Sequence, residues 1–173
     1  MVLIVDVDKL EAEFFVKIPL LFYAKIKFMK ILSKSLEDTE KIAREFVEKI
    51  LKKNQIKALI VGLCGDLGSG KTAFTQAVAK HLGVEETVTS PTFVIEKIYK
   101  LKNKKFDHLI HIDAYRLESG GELLHLGWEE IADNSKNIIF IEWSERVSEI
   151  LPRSIRKVNL KFVNEHTREI EIV

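Results

Sequence analysis

The feature that most constrains this chain is a glycine-rich segment that directly follows an apolar run. Residues 65–72 read Gly-Asp-Leu-Gly-Ser-Gly-Lys-Thr and fit the pattern G-x-x-x-x-G-K-[ST], while residues 58–64 are apolar. Such a segment binds phosphate when a strand precedes it and an amphipathic helix follows it. Apolar residues recur at helical spacing from Phe74 to Leu82, and Gly83 is a typical helix end. The segment therefore predicts a phosphate loop between a strand and a helix.

The phosphate loop, residues 65–72, supplies the first set of predicted nucleotide-binding residues. Its glycines permit backbone conformations in which successive N–H groups converge on phosphate oxygens. Lys71 is predicted to reach the β- and γ-phosphates, and Thr72 to offer its hydroxyl to Mg²⁺. The full predicted set is Gly65, Asp66, Leu67, Gly68, Ser69, Gly70, Lys71 and Thr72.

Composition restricts the partners and the compartment. The formal net charge is +1, so no global field draws the chain to nucleic acid or to an anionic membrane. The single cysteine, Cys64, excludes an internal disulfide, and its apolar surroundings favour a buried small hydrophobe over a reactive thiol. Residues 18–24 are uncharged but too few to span a membrane. We expect no membrane association and a cytoplasmic location.

The order of the predicted elements indicates an α/β protein. A strand near Ile31 precedes a helix that Ser35 and Asp38 begin as a capping box. The strand and helix around the phosphate loop follow, which predicts a P-loop NTPase fold with a mostly parallel central sheet flanked by helices. Two antiparallel hairpins, within residues 94–113 and 157–173, are predicted additions. The apolar face of the first helix is predicted to comprise Leu36, Ala43, Phe46, Val47 and Ile50.

The first 28 residues differ in pattern from the rest of the chain. We interpret residues 29–173 as a single P-loop ATPase domain and residues 1–28 as an N-terminal extension of uncertain status. The extension is an added layer, an arm that binds a partner, or an over-long start with Met29 as the true initiator. The pattern of these residues leaves all three interpretations open.

Two acids at predicted strand ends are the candidates for catalysis. Glu142 follows the apolar residues 138–141, and Asp113 follows residues 109–112. In a parallel sheet an acid at the carboxyl end of a strand emerges beside the phosphate loop. We favour Glu142 as the Mg²⁺ ligand and Asp113 as the residue that positions water, although the roles could be exchanged. The alternative is that either acid merely caps the element that follows it.

Other residues bear on the nucleotide. The nearest match to the guanine-recognition pattern N-K-x-D is residues 103–106, which end in phenylalanine, so ATP is the predicted nucleotide. Thr92 lies in a hydroxyl-rich loop that could sense the γ-phosphate or could be an ordinary surface loop. Trp143 could stack on the base or simply pack against other side chains.

Ser144 is predicted to cap a short helix that Pro152 ends.

Four motifs, taken in order, resemble those of the TsaE family, the small P-loop ATPases of bacterial tRNA threonylcarbamoyladenosine synthesis. They are the phosphate loop, Ser-Pro-Thr-Phe at 90–93, His-Ile-Asp-Ala-Tyr-Arg-Leu at 111–117, and Ile-Glu-Trp at 141–143 with Leu-Pro at 151–152. Ser-Pro-Thr-Phe and His-x-Asp-x-Tyr-Arg-Leu are far more specific than a phosphate loop. The resemblance extends from about Met29 to the end, and residues 1–28 have no counterpart in it.

The resemblance implies roles for individual residues. The last two residues of the phosphate loop would contact phosphate and Mg²⁺, and Thr92 would belong to a switch-like loop. Asp113 and Glu142 would be functionally required acids, and Trp143 would lie near the nucleotide.

The resemblance also implies partners. These are TsaD, which transfers a threonylcarbamoyl group to the adenosine beside the tRNA anticodon, and TsaB, which pairs with TsaD. A TsaE protein binds that complex, reaches tRNA indirectly through it, and uses ATP hydrolysis to support repeated turnover.

Two other functions are compatible with a phosphate loop. A small-molecule kinase would need an acceptor site and an arginine-bearing lid, for which Arg116, Arg146 and Arg153 are available. A nucleotide-gated binding module would need ATP binding but no essential hydrolysis. Detection of a phosphorylated product would distinguish the kinase. Partner function that survives the loss of hydrolysis would distinguish the module.

Overall fold

A mixed β-sheet forms the centre of the computed structural model, which describes residues 29–52, 54–102 and 105–173. Within these ranges the sheet has seven strands in the order β1-β7-β6-β2-β5-β4-β3. The strands are β1 Met29–Ser33, β2 Leu59–Cys64, β3 Glu96–Lys100, β4 His108–Asp113, β5 Asn137–Glu142, β6 Arg156–Phe162 and β7 Arg168–Ile172. The interpretations of residues 1–28 lie outside the described residues.

The pairing of the strands confirms the predicted fold class. Strands β6, β2, β5 and β4 are parallel neighbours at the centre of the sheet. Strand β3 pairs antiparallel with β4, and β7 pairs antiparallel with both β6 and β1. Both predicted hairpins are therefore present, as antiparallel additions to a parallel centre.

Helices cover both faces of this sheet. The α-helices are α1 Leu36–Leu51, α2 Lys71–Leu82, α3 Gly120–His125 and α4 Trp128–Asp133, with short 3₁₀ helices at Ala114–Arg116 and Ser144–Val147. Helices α1 and α2 pack on one face, where the rings of Phe46 and Phe74 meet edge to face at 5.8 Å. Helices α3 and α4 contribute Leu123 and Trp128 to the core on the other face. No helix in the described ranges is both long and apolar enough to cross a membrane.

The alternation of side chains along the central strands determines what reaches each face. Leu109 of β4 lies in the core beneath α1 and α2, whereas Ile110 and Ile112 lie in the core beneath α3 and α4. Because successive side chains in a strand point to opposite faces, His111 and Asp113 share the face of Leu109. The same alternation places Glu142 of β5 on the α2 side of the sheet.

Helix α1 begins as predicted, but its buried face is not quite the predicted one. The Ser35 hydroxyl accepts a hydrogen bond of 3.1 Å from the Asp38 N–H, as expected for an N-cap. Leu36, however, is 69% exposed, so its inclusion in the apolar face that the helix buries was wrong. It lies in the first turn, where the helix borders an open cavity beside the phosphate loop instead of the core. Thr39 and Ile42 complete the buried face.

The predicted cap after β5 is displaced by one residue. Trp143, not Ser144, is the N-cap of the 3₁₀ helix, and Trp143 adopts a left-handed conformation with φ of 57°. Ser144 is buried inside the helix, where its hydroxyl lies 3.2 Å from the sulfur of Cys64. The tight turn at Trp143 therefore directs the chain away from the sheet immediately after Glu142.

Candidate functional site

The backbone of the phosphate loop has the shape that its glycines permit. Gly65, Gly68 and Gly70 have φ values of 138°, 76° and 101° in the left-handed region. A Cβ at Gly65 would lie 2.0 Å from the carbonyl oxygen of Leu160 in β6, so a side chain cannot fit there. Helix α2 begins at Lys71, within the last two residues of the loop, and its unpaired N–H groups and positive dipole end attract an anion.

Lys71 is held over the mouth of this loop. Its ammonium donates hydrogen bonds of 2.6 Å to the Gly65 carbonyl and 2.9 Å to the Asp66 carbonyl. Burial lowers the pKa of Lys71, and the nearby carboxylates, Glu142 foremost, act in the opposite direction. The Trp143 ring centroid lies 3.8 Å from Nζ, so the aromatic face covers the cation. An ammonium has three N–H donors, and the loop carbonyls take two of them.

Thr72 and Glu142 join the loop to the neighbouring strand. The hydroxyl of Thr72 donates a hydrogen bond of 3.0 Å to Oε2 of Glu142. The carboxylate of Glu142 is almost completely buried, and its other oxygen, Oε1, lies 2.8 Å from Nε2 of His111. A hydroxyl and a carboxylate therefore stand side by side at the first turn of α2.

Asp113 holds the hydroxyl-rich loop that precedes β3. Its Oδ2 accepts hydrogen bonds from the hydroxyls of Thr92 and Ser90, the latter at 3.2 Å. Its Oδ1 accepts a hydrogen bond of 2.9 Å from the backbone N–H of Tyr115. The Asp113 N–H in turn donates to the carbonyl of Ile95, a residue with an unfavourable φ of 68°. The acid thus fixes the loop through both its side chain and its backbone.

The structure brings the predicted site residues together at one edge of the sheet. Asp113 and Glu142 are directly paired in the register of β4 and β5, and Glu142 is also paired with Leu63 of β2. The ring of Trp143 lies 5.1 Å from that of Tyr115 as well as against Lys71.

The arginines of the kinase alternative are engaged elsewhere or exposed. Arg146 donates a hydrogen bond of 3.1 Å to the carbonyl of Leu117. Arg116 is exposed, with its guanidinium 4.6 Å from the ring centroid of Phe93. These contacts do not direct a group of arginines toward the phosphate loop, and they give the kinase alternative no support.

Two residues that contact the predicted site, His111 and Arg168, were not among its predicted members. His111 was named only as the first residue of the motif at 111–117, although a histidine two residues before Asp113 in an apolar strand was a usable signal. Arg168 in β7 donates a hydrogen bond of 3.2 Å from Nε to the Gly68 carbonyl. No short-range pattern links Arg168 to the loop, because the two are far apart in sequence.

The donor groups at this edge fit Mg²⁺ and a nucleotide. Mg²⁺ prefers oxygen ligands, and it commonly takes one or two from the protein with the rest from phosphates and water. Thr72 and Glu142 supply two such oxygens, and the described residues contain no group of three His, Cys, Asp or Glu side chains that would favour another metal. Ser69 Oγ is buried without a hydrogen-bond partner within the described ranges. A polar ligand at the loop would satisfy it.

A cavity of about 470 Å³ adjoins the phosphate loop. Ser69 and Gly70 line one side of it, Ser35 and Leu36 at the start of α1 line another, and Arg168 lines a third. Two residues after Gly70, the same loop contacts Glu142 through Thr72. It is large enough for the part of a nucleotide that extends beyond the phosphates.

The fold and the loop define a P-loop α/β protein. The family model described as "Threonylcarbamoyl adenosine biosynthesis protein TsaE" matches residues 33–170, and the chain belongs to this family.

Relatives of known name agree with this membership. The chain is 39% identical over 138 residues to the tRNA threonylcarbamoyladenosine biosynthesis protein TsaE of Rickettsia felis. The aligned residues cover 79% of this chain and 75% of that protein. It is 35% identical over 133 residues to the TsaE protein of Haemophilus influenzae, and these residues cover 77% of this chain and 81% of that protein. The crystal structure of Bacillus subtilis YdiB superposes with a TM-score of 0.63 at 30% identity and covers 84% of each chain. The predicted family is therefore confirmed, and with it a role in tRNA threonylcarbamoyladenosine biosynthesis.

Proposed function

We propose that this protein binds Mg²⁺-ATP, hydrolyses it slowly alone, and acts through hydrolysis on the TsaB-TsaD complex in tRNA modification. The observation that carries the proposal is the 3.0 Å hydrogen bond between Thr72 and Glu142. It joins the phosphate loop to an acid at the end of a neighbouring parallel strand, an arrangement that supports Mg²⁺-dependent phosphoryl chemistry and that a simple anion site does not need.

The phosphate loop supplies the binding part of the proposal. Its amides and the N-terminus of α2 would hold the β- and γ-phosphates, and Lys71 would give its remaining donor to a phosphate oxygen. Arg168, which already donates to the Gly68 carbonyl, lines the adjoining cavity. We assign this cavity to the nucleoside, since it adjoins the loop at Ser69 and Gly70. Trp143 covers Lys71 on the phosphate side and is not among the residues that line the cavity.

The acids supply the catalytic part. Thr72 and Glu142 would hold Mg²⁺, which neutralises charge on the phosphates as the reaction proceeds. Asp113 and the Thr92 hydroxyl, which it holds, would accept a hydrogen bond from water and align its oxygen with the γ-phosphorus. The water oxygen would bond to the γ-phosphorus as the bond from that phosphorus to the bridging oxygen breaks. The water proton would pass to an oxygen of the transferred phosphoryl group, and ADP and phosphate would be released. Neither acid needs to form a covalent bond.

The exposed residues after Thr92 support a protein partner. Phe93 and Val94 are 84% and 59% exposed, and Ile98 on the edge strand β3 is 53% exposed. Clustered exposed apolar side chains are typical of interaction surfaces. Because Asp113 holds the adjacent Thr92, a partner bound there would be sensitive to changes at the nucleotide site. We assign this surface to the TsaB-TsaD complex, through which tRNA would be reached, and we place the reaction in the cytoplasm.

The experiment that tests the proposal is ATP hydrolysis by the purified protein with Mg²⁺, alone and then with the TsaB-TsaD pair and tRNA. We expect a low rate alone and a higher rate with the pair. Phe93→Ser should reduce the stimulation, whereas Ile56→Ser should not, although Ile56 is 94% exposed. ATP binding without any association with the pair would contradict the assigned partners, and a phosphorylated small-molecule product would favour the kinase alternative.

A further inference from the structure

A histidine is buried in the central sheet beside the proposed metal ligand. His111 is 0% exposed, and its neighbours along the same face of β4 are Leu109 and the site residue Asp113. An apolar side chain would fill such a position at no desolvation cost, whereas a buried imidazole needs a hydrogen-bond partner. Its partner here is Glu142, at 2.8 Å from Nε2 to Oε1.

The direction of this hydrogen bond follows from the chemistry of the two groups. A carboxylate in the proposed metal-binding role is ionised and can only accept, so we assign the proton between the two atoms to Nε2 of His111. The other ring nitrogen, Nδ1, has no hydrogen-bond partner within the described part of the chain. The polar contact of the ring is therefore directed at Glu142.

The two oxygens of Glu142 are divided between two neighbours. Oε1 accepts from His111, and Oε2 accepts from Thr72. With Oε1 fixed, the carboxylate cannot rotate freely about its terminal bond, and Oε2 remains beside the Thr72 hydroxyl. Partners of this kind orient metal ligands and increase metal affinity in many proteins.

We propose that His111 is a positioning residue, which fixes the carboxylate of Glu142 so that Oε2 and the Thr72 hydroxyl present a preformed pair of oxygens to Mg²⁺. The inference rests on the proposed function of the site. His111 does not touch the metal, the nucleotide or the attacking water. Its effect is exerted through Glu142 alone.

The test measures metal binding separately from turnover. Electron paramagnetic resonance of Mn²⁺ gives the metal affinity of the full chain with a non-hydrolysable ATP analogue, and a fluorescent ATP analogue with EDTA gives metal-free nucleotide binding. His111→Leu should weaken Mn²⁺ binding by about 10- to 100-fold and leave metal-free nucleotide binding unchanged. His111→Gln, whose amide nitrogen can donate to Glu142, should recover most of the loss. His108→Leu, at the opposite end of β4, is the matched control.

The outcomes separate this inference from the proposed function. Wild-type Mn²⁺ affinity in His111→Leu, or an equal loss in the Leu and Gln variants, would overturn the positioning role and leave the proposed function intact. A wild-type protein that binds neither nucleotide nor Mn²⁺ would overturn both. Nitrogen-15 NMR of the wild-type protein avoids any folding defect of the variants. It should show a protected Nε2–H signal of His111 that shifts when Mg²⁺ and nucleotide are added, and the absence of such a signal would contradict the proposal.

Discussion

Asp113 and Glu142 occupy directly paired positions at the carboxyl ends of the neighbouring parallel strands β4 and β5. Their carboxylates have different partners. Glu142 contacts the phosphate loop through Thr72, and Asp113 contacts the preceding loop through Ser90 and Thr92. One acid is thus connected to the proposed phosphate site and the other to the proposed switch loop, which is the physical basis for the two roles that we assign.

Replacement of Lys71 should abolish turnover without unfolding the protein. Lys71→Ala removes the cation that covers the loop, and we expect ATP hydrolysis to fall by about 100-fold or more. Lys80→Ala is the matched control, because Lys80 lies on the same helix but is exposed and paired with Glu40. Thermal unfolding followed by circular dichroism checks that both variants fold. Unchanged hydrolysis in a folded Lys71→Ala variant would refute the assignment of the loop.

The hydroxyl of Thr92 should matter more for turnover than for ATP binding. Thr92→Val keeps the shape of the side chain but removes its hydrogen bond to Asp113, and the loss of one such bond to a charged group corresponds to about a 10-fold lower rate. Thr92→Ser retains the hydroxyl and should remain close to wild type. The measurements are kcat and the ATP dissociation constant. A Val variant with normal kcat would show that the loop takes no part in hydrolysis.

The glycines of the phosphate loop should differ in their tolerance of a side chain. Gly65→Ala would force a Cβ to 2.0 Å from the Leu160 carbonyl oxygen, whereas no atom lies within 4 Å of a Cβ at Gly68. Both positions have positive φ, so an alanine at either one strains the backbone. Because a Cβ at Gly68 meets no other atom, this strain of about 1–2 kcal/mol is the whole cost of Gly68→Ala. Gly65→Ala should cost more than about 3 kcal/mol in the free energy of unfolding. Urea denaturation measures both, and equal losses would contradict the described contact with β6.

The thiol of Cys64 should react slowly in the folded protein. Burial raises the pKa of Cys64 above its ordinary value, with Glu145 acting in the same direction, while the Ser144 hydroxyl and Lys157 oppose the shift. Folding therefore favours the protonated thiol, so its contribution to stability is present below the unfolded pKa and declines as the pH rises above about 8.5. The pH midpoint of alkylation by iodoacetamide should be higher in the folded chain than in urea. An equal or lower midpoint would contradict this environment, and Cys64→Ser provides the blank.

Strands, helices and turns were predicted correctly where the sequence pattern was local or was repeated along one element. The strand, loop and helix of residues 58–83 depend on glycine positions and apolar spacing, and both hairpins depend on alternation and turn residues. The placement of Asp113 and Glu142 at one edge of the sheet was predictable because parallel strands bring their carboxyl ends together there.

Contacts between distant segments were not predictable in the same way. Leu36 matched the helical period but lies beside a cavity, because periodicity does not reveal what faces each turn. The turn at Trp143 displaced the expected cap, and the short helix that follows is a 3₁₀ helix that ends at Val147 and not at Pro152. The contacts of His111 with Glu142 and of Arg168 with Gly68 required knowledge of which strands are neighbours.

The measurement that tests the central claim most directly compares the wild-type protein with Glu142→Gln. The substitution preserves the size of the side chain but removes the charge that we assign to the metal site. We predict that wild-type protein hydrolyses ATP with Mg²⁺, and that the variant binds ATP in EDTA equally well but hydrolyses it about 100-fold more slowly. Equal hydrolysis by the two proteins at saturating Mg²⁺-ATP would contradict the account.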